Sequence, residues 1–408
     1  MISEIQVMKR SGYADLPLHY GHVPQWLYDR MARLGGAIVE TIIAEYGSSE
    51  VLRRISDPFW FQAFGAVLGM DWHSSGITTS VMGSLKQAIN PISKNLGIHI
   101  CGGRGKHSRR TPEEITEAAD ARGLDGDYLV RCSRLSAKID STAVQDGFQI
   151  YLHTFILTDD GEWAVVQQGL NDGTGLARRY HWHSPRIRSF VEEPHASIYG
   201  RNRGSILNLV DRKADTARDG IMAIAREEPG AMMKEIRNII MPRRHDVTEK
   251  DVNLKRLGGV LALAYDRGLA DFEGLLLLEG LGPRTMQSLA LVSEVIYGTP
   301  TRFDDPARFS FAHGGKDGNP FPVPLKVYDE TIDQLKKAVN RAKMGHDDRR
   351  LALKGLARAA QAIEERHDPS ADFERVIEKE VRESRRQGGR TVFDKVEKPG
   401  DEQLTLFK

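Results

Sequence analysis

The chain is poor in cysteine: Cys101 and Cys132 are the only two among 408 residues. Two thiols cannot build a disulfide framework or a cysteine-based zinc finger, and they fit a reducing compartment. Net charge is also lacking, with 57 Lys and Arg against 56 Asp and Glu, so any basic surface must come from local clustering. No apolar run approaches the roughly 20 residues a membrane helix needs. No basic-then-apolar leader opens the chain. These absences predict a soluble cytoplasmic protein with no membrane partner. What is present, 40% hydrophobic residues over this length, suffices for two or three packed domains.

The most organised stretch is Leu275–Ile296, where two apolar helical runs flank Gly280-Leu281-Gly282-Pro283-Arg284-Thr285. Glycines can take left-handed backbone angles, and Pro283 can begin a helix because its missing N–H would be unpaired there. A bare turn before a helix N-terminus offers free amides and the positive dipole end to an anion, and Arg284 adds a charge. The stretch resembles the helix-hairpin-helix motif, which grips a nucleic-acid backbone without reading sequence. It departs from the usual pattern at Glu279 and Met286. Gly280, Gly282, Arg284 and Thr285 are the expected DNA contacts.

In the N-terminal half, Glu4–Lys9 reads as a short strand, and Gln25–Tyr46, Ser49–Ser56 and Asp57–Leu68 as helices. Asp57 and Pro58 form the last helix's cap and first turn. The run Phe59-Trp60-Phe61 is expected in the core. Met70–Ser80 gathers Asp71, His73, Ser74, Ser75, Thr78, Thr79 and Ser80 before a helix over Gly76–Ile89. It is not a P-loop, since no Gly-Lys-Ser/Thr closes it. A strand at Gly97–Cys101 empties into a Gly-rich basic loop carrying Arg104, Lys106, His107, Arg109 and Arg110, with Thr111 as the expected cap of the next helix. Glycines that permit close backbone approach, beside cations, suit phosphate contact.

Tyr128–Asp140, Phe148–Thr158, Trp163–Leu170 and Arg179–His183 are expected as strands of an antiparallel sheet, with a hairpin turn at Asp159-Asp160-Gly161. Their polar content is unusual: Lys138, Asp140, Asp146, Gln149 and His153, then Gln167, Gln168, Asn171, His181, His183 and His195. Gln149 and His153, four apart, should share a strand face. Buried polar groups are costly unless paired, so this density predicts a site. Asp with His suits Mg²⁺, Mn²⁺ or Zn²⁺, and a nearby Lys suits phosphodiester hydrolysis. The expected metal ligands are Asp71, His73, Asp140, Asp146 and His153. Catalytic roles fall to Asp140, Asp146, Lys138, His73 and Gln149, with Lys138 and Lys106 facing the phosphate.

The segments DPFWFQAFGAVLGMDWHSSG, SRLSAKIDS, VQDGFQIYLH, WAVVQQGLN, ARRYHWHS, VEEPHA and SFAHGGKDG together resemble the bacterial and archaeal family catalogued as domain of unknown function 763. The resemblance spans roughly Met8 to Ile363 and implies no assigned chemistry.

The C-terminal half is helical in pattern, over Ile206–Glu227, Gly230–Ile240 and Asn253–Arg267 before the hairpin, and Met241–His245 is a basic break. Asp304 and Asp305 lie 22 and 23 residues past Gly282, ahead of Arg308. That spacing is similar to the catalytic Asp of helix-hairpin-helix glycosylases, although Asp304-Asp305-Pro306 also reads as a helix cap. Ser310–Val323 is a Gly/Pro-rich loop with His313, Lys316 and Asp317, where Lys316 could touch a phosphate. Gln403-Leu404-Thr405-Leu406-Phe407 ends a polar tail and resembles the bacterial sliding-clamp binding motif; Gln403 and Leu404 open it, and Leu406 and Phe407 would fill an apolar pocket.

The sequence therefore predicts an α+β fold with an antiparallel sheet in residues 1–203, a helical domain over 204–386, and a flexible clamp-binding tail over 387–408. The leading expectation is a clamp-tethered, metal-dependent nuclease of DNA repair or replication. The alternatives are a glycosylase or lyase acting through Asp304 or Asp305, and a non-enzymatic DNA adaptor.

Overall fold

A computed structural model describes residues 16–17, 23–70, 75–239, 253–307, 333, 335–342 and 352. The expected strand at Glu4–Lys9 lies outside them. After β1 (Leu16–Pro17) come four helices, α1 (Gln25–Tyr46), α2 (Ser48–Ile55), α3 (Pro58–Val67) and α4 (Gly76–Ile89). The Asp57 carboxylate accepts hydrogen bonds from the Phe59 and Trp60 amides at 2.9 and 3.0 Å, which starts α3 where the sequence predicts. All of α3 is buried, so its aromatic run does pack the core. In α4 the buried Ile77, Val81, Leu85 and Ile89 recur every four residues and form one apolar stripe.

Next are α5 (Ser93–Leu96), β2 (Ile98–Arg104), α6 (Lys106–Arg109), α7 (Thr111–Asp120) and α8 (Gly126–Lys138). Two expectations are corrected here. The Thr111 hydroxyl donates to the Ser108 carbonyl rather than capping α7. The stretch expected as a strand from Tyr128 is helical, because Leu129, Cys132, Leu135 and Ile139 follow the helical period and Asp125 caps them through the Tyr128 amide. Serines and arginines between those positions mimic alternation. The helix then opens into a π-helical turn, Ile139–Ala143.

The strands that follow are β3 (Val144–Gln145), β4 (Gln149–Thr158), β5 (Trp163–Asn171), β6 (Leu176–His183), β7 (Ser197–Tyr199) and β8 (Leu207–Asn208). The main sheet is antiparallel in the order β1-β6-β5-β4-β2, with β7 also on β6, while β3 pairs with β8. Register is set by pairs such as Ile100↔Ile156 and Val165↔Trp182. The Asp159–Gly161 turn joins β4 to β5, with Gly161 at φ +81°. The α+β class expected from sequence is thus the fold.

Both faces of the sheet are covered, which is why β5 is buried over seven consecutive residues instead of alternating. Helices α1 to α4 bury Ile98, Ile100, Ile156, Ala164 and Val166 on one face. The other face carries Cys101, Phe155, Trp163, Val165, Tyr180 and Trp182. That second core runs on without a break into α9 (Asp215–Arg226), α10 (Pro229–Ile239), α11 (Leu254–Asp266), α12 (Phe272–Leu276) and α13 (Pro283–Tyr297). The helix expected from Ile206 begins only at Asp215, since Leu207 and Asn208 are claimed by the pairing with β3. No described helix is long and apolar enough to cross a membrane.

Candidate functional site

The turn between α12 and α13 is held from outside. Arg256 donates to the Gly280 carbonyl at 3.2 Å, Lys138 Nζ to the Leu281 carbonyl at 2.7 Å, and Gln145 Nε2 to the Pro283 carbonyl at 2.8 Å. Three side chains from α11, α8 and β3 thereby engage the carbonyls of the turn. The first α13 amide with an intrahelical acceptor is that of Met286, bonded to the Gly282 carbonyl at 3.0 Å. The amides of Arg284 and Thr285 precede it at an open helix N-terminus. Arg284 on α13 is exposed there, as is Arg256, which bonds the Gly280 carbonyl. Gly280 takes φ +82°, which favours glycine, but Gly282 is extended at φ −136°, so the expected left-handed role for Gly282 is corrected. Lys138, expected opposite a scissile phosphate on the sheet, instead docks this turn, and burial lowers its pKa.

The basic loop folds against the far end of β4. Arg104 ends β2, Lys106 and Arg109 sit on the single turn of α6, and Arg110 follows; all four are exposed. Gly102 must be glycine, because at φ +82° a Cβ would come within 2.4 Å of the His153 carbonyl and of the Thr111 hydroxyl. Lys86 Nζ donates to the Gly102 carbonyl at 2.7 Å and pairs with Glu114, whose carboxylate also accepts from the Gly102 amide at 2.7 Å. Beside the loop opens a cleft of about 470 Å³.

Beneath the sheet, Asp140 hangs from the π-helical turn and is fully buried. One oxygen accepts from Gln167 Nε2 and from Trp182 Nε1 at 3.0 Å; the other meets His195 Nε2. The chain continues from Gln167 Oε1 to His153 Nδ1 at 2.8 Å, and from His153 Nε2 to the Ser133 hydroxyl at 2.8 Å. Since the Gln167 amide nitrogen is donating, its oxygen accepts from Nδ1–H of a neutral His153. Burial pushes the His153 pKa down, against the pull of Gln167 and Asp140. Ser133 and Trp182 were not singled out from sequence. It is the helix α8, where a strand is expected, that brings Ser133 to His153.

A second network on the same face centres on Arg178, which lies between two buried carboxylates. It donates to Asp146 at 2.9 Å and makes a two-pronged pair with Asp305 at 3.0 and 2.6 Å. Asp305 also accepts from the Arg203 and Ala307 amides at 2.7 and 2.9 Å. Asp146 accepts from the Tyr180 hydroxyl at 2.6 Å and the Phe148 amide at 3.0 Å. Burial raises the Asp146 pKa despite Arg178; burial opposes the charge of Arg178, yet Asp146, Tyr180 and Asp305 together raise its pKa. Asp305 therefore serves as a clasp to β6, while Asp304 is exposed and offers its carbonyl to Asn208 at 3.1 Å.

The opposite face holds Arg179, buried beside Thr78, with its guanidinium donating to Gln62 Oε1 at 3.0 Å and His181 Nε2 at 2.9 Å. Phe61 and Tyr199 rings flank it at 4.4 and 4.7 Å. No carboxylate pairs with it among the described residues, and burial lowers its pKa to about 10. His181 donates from Nδ1 to the Ile55 carbonyl at 2.9 Å, and burial holds its pKa well below the usual value.

Asp140, His153 and Gln167 are brought together; Asp146 belongs to the separate Arg178 group. Gln149 is exposed at the start of β4 and shares no site with His153, because a bulge between Ile150 and Leu152 offsets the strand. No group of three or more His, Cys, Asp or Glu among the described residues is placed to hold a metal ion. Asp71, His73, Lys316, Gln403, Leu404, Leu406 and Phe407 lie outside the described residues.

The family model described as "Protein of unknown function (DUF763)" matches residues 12–323, and the chain belongs to that family. No curated protein and no solved structure matches the chain.

Proposed function

We propose that this protein binds the phosphate backbone of DNA at the α12–α13 turn and acts as a DNA adaptor, with the Gln403–Phe407 tail tethering it to the bacterial sliding clamp. One observation carries the reading: the carbonyls of Gly280, Leu281 and Pro283 are engaged by Arg256, Lys138 and Gln145. With its carbonyls so occupied, the turn offers an anion its amides and the exposed side chains of Arg284 and Arg256. Binding is favoured over hydrolysis as the primary role because Asp140, Asp146, His153 and Asp305 all direct their polar atoms at protein partners.

The test is Gly282→Asp. The position is the N-cap of α13, is extended, and has only Arg256 Nη2 near a new Cβ, at 3.9 Å. Aspartate is a good N-cap, so the thermal midpoint should hold or rise. Its carboxylate would sit where a phosphate binds, and loss of a charge-assisted contact of about 1.5–3 kcal/mol predicts at least a roughly tenfold weaker DNA affinity. Unchanged affinity of the folded variant would reduce the turn to a packing element.

A further inference from the structure

The 470 Å³ cleft beside the basic loop has no part in the hairpin reading. Its floor is β2 and β4, where Gly102 lets the two strands close up, and its walls are α1, α4 and α6. Lys86, Arg104, His107, Tyr28 and Gln87 line it, and among the described residues no carboxylate is on its wall. Glu114 pairs with Lys86, and both bond the Gly102 peptide, which fixes the ammonium in place.

Four of the lining side chains, Tyr28, Gln87, Arg104 and His107, have no hydrogen-bond partner among the described residues. Polar side chains gathered around a concavity without partners of their own are what a ligand site requires. The Arg104 guanidinium lies over the Tyr151 ring at 5.9 Å, an arrangement that leaves its N–H edge to fork onto phosphate oxygens. The volume exceeds what a lone phosphate fills, and the half-buried Tyr28 ring gives the remainder an aromatic wall suited to a base.

We infer that this cleft binds a nucleoside phosphate monoester, either a free mononucleotide or the phosphorylated end of a nucleic-acid strand. Both sources present the same chemistry: a terminal phosphate for Arg104 and Lys86, and a planar base for the Tyr28 side. The remaining cations of the loop, Lys106, Arg109 and Arg110, do not line the cleft. Site binding is thereby separable from general attraction to a basic loop.

The experiment is calorimetric titration of the full chain at low salt with adenosine 5′-monophosphate, inorganic phosphate, and matched single strands bearing a 5′-phosphate or a 5′-hydroxyl. Saturable binding of the mononucleotide, tighter than inorganic phosphate, is expected. A preference for the 5′-phosphorylated strand would identify strand ends as a source; equal binding of the two strands, with the mononucleotide still bound, would identify the free nucleotide. Arg104→Gln should weaken binding about tenfold or more, as loss of a charge-assisted hydrogen bond implies. Lys106→Gln, an exposed charge off the cleft, should change it by about twofold or less. Both positions are exposed, so neither variant threatens folding, and Gln87→Glu supplies a second disruption by placing a carboxylate on the wall. Gly282→Asp should leave mononucleotide affinity unchanged, which keeps this test apart from that of the hairpin. Absence of binding by the mononucleotide and by the phosphorylated end, or equal losses in Arg104→Gln and Lys106→Gln, would overturn the inference.

Discussion

Arg178 and Arg179 are consecutive on β6, both fully buried, and they point to opposite faces of one sheet. Arg178 has two carboxylates, Asp146 and Asp305, and its charged form is reinforced. Arg179 has an amide oxygen, a hydroxyl, an imidazole nitrogen and two aromatic rings, and its charged form is weakened. One residue step along a strand thus separates an ionic cross-link from a cation solvated by neutral dipoles. The contrast shows that burial of a guanidinium alone does not define its role. Its partners decide whether it is a tie between distant segments or a filler of a polar cavity.

Asp305→Ala should produce the largest break in this comparison. It leaves Arg178 with one carboxylate and strips the Arg203 and Ala307 amides of their acceptor, and removing one partner of a buried ion pair costs about 3–5 kcal/mol. Urea unfolding would measure it. Arg179→Met should cost less than half as much, since no buried carboxylate among the described residues is left behind and the acceptors it orphans are neutral. A loss as large as that of Asp305→Ala would mean that Arg179 has an acidic partner elsewhere in the chain.

Histidines sharpen the comparison further. His99 and His183 have pKa values lowered to about 4, and those of His153 and His181 are also lowered, in every case chiefly by burial. An unfolded histidine titrates near about 6.5. The unfolded state then binds more protons between these values, so this stability is full above about pH 6.5 and is lost as pH falls towards 4. The thermal midpoint should drop between pH 7 and pH 5. His181, pushed further by Arg179, should contribute more of that drop than His153, which Asp140 and Gln167 support. If His153→Gln flattened the acid limb more than His181→Gln, the assigned difference between the two faces would be wrong.

Much of the framework was readable in the chain. Asp57-Pro58 marks a helix start by local chemistry, and Asp159-Asp160-Gly161 marks a hairpin by turn geometry. The polar density around Asp140 and His153 predicts a metal or catalytic site, whereas the structure shows those side chains hydrogen-bonded to Gln167, Trp182 and Ser133. What escaped was whatever depends on distant partners: Asp305 is 127 residues from Arg178, so its spacing from Gly282 suggested catalysis where the fold makes a clasp. Lys138 was misassigned for the same reason, its acceptor being 143 residues away. Gln149 was misplaced by a bulge that residue identities do not announce.

The π-helical turn at Ile139–Ala143 makes chain length in this stretch a structural parameter. Each residue of a helix advances the side-chain direction by about 100°. Lys138 reaches the α12–α13 turn and Asp140 reaches the sheet from the same short segment. Deleting one residue there would leave a respectable α-helix, yet it would swing one of these two side chains off its target. Substitutions at Ser141 should therefore be tolerated far better than a single-residue deletion, and length variation among relatives should avoid this segment even where sequence drifts.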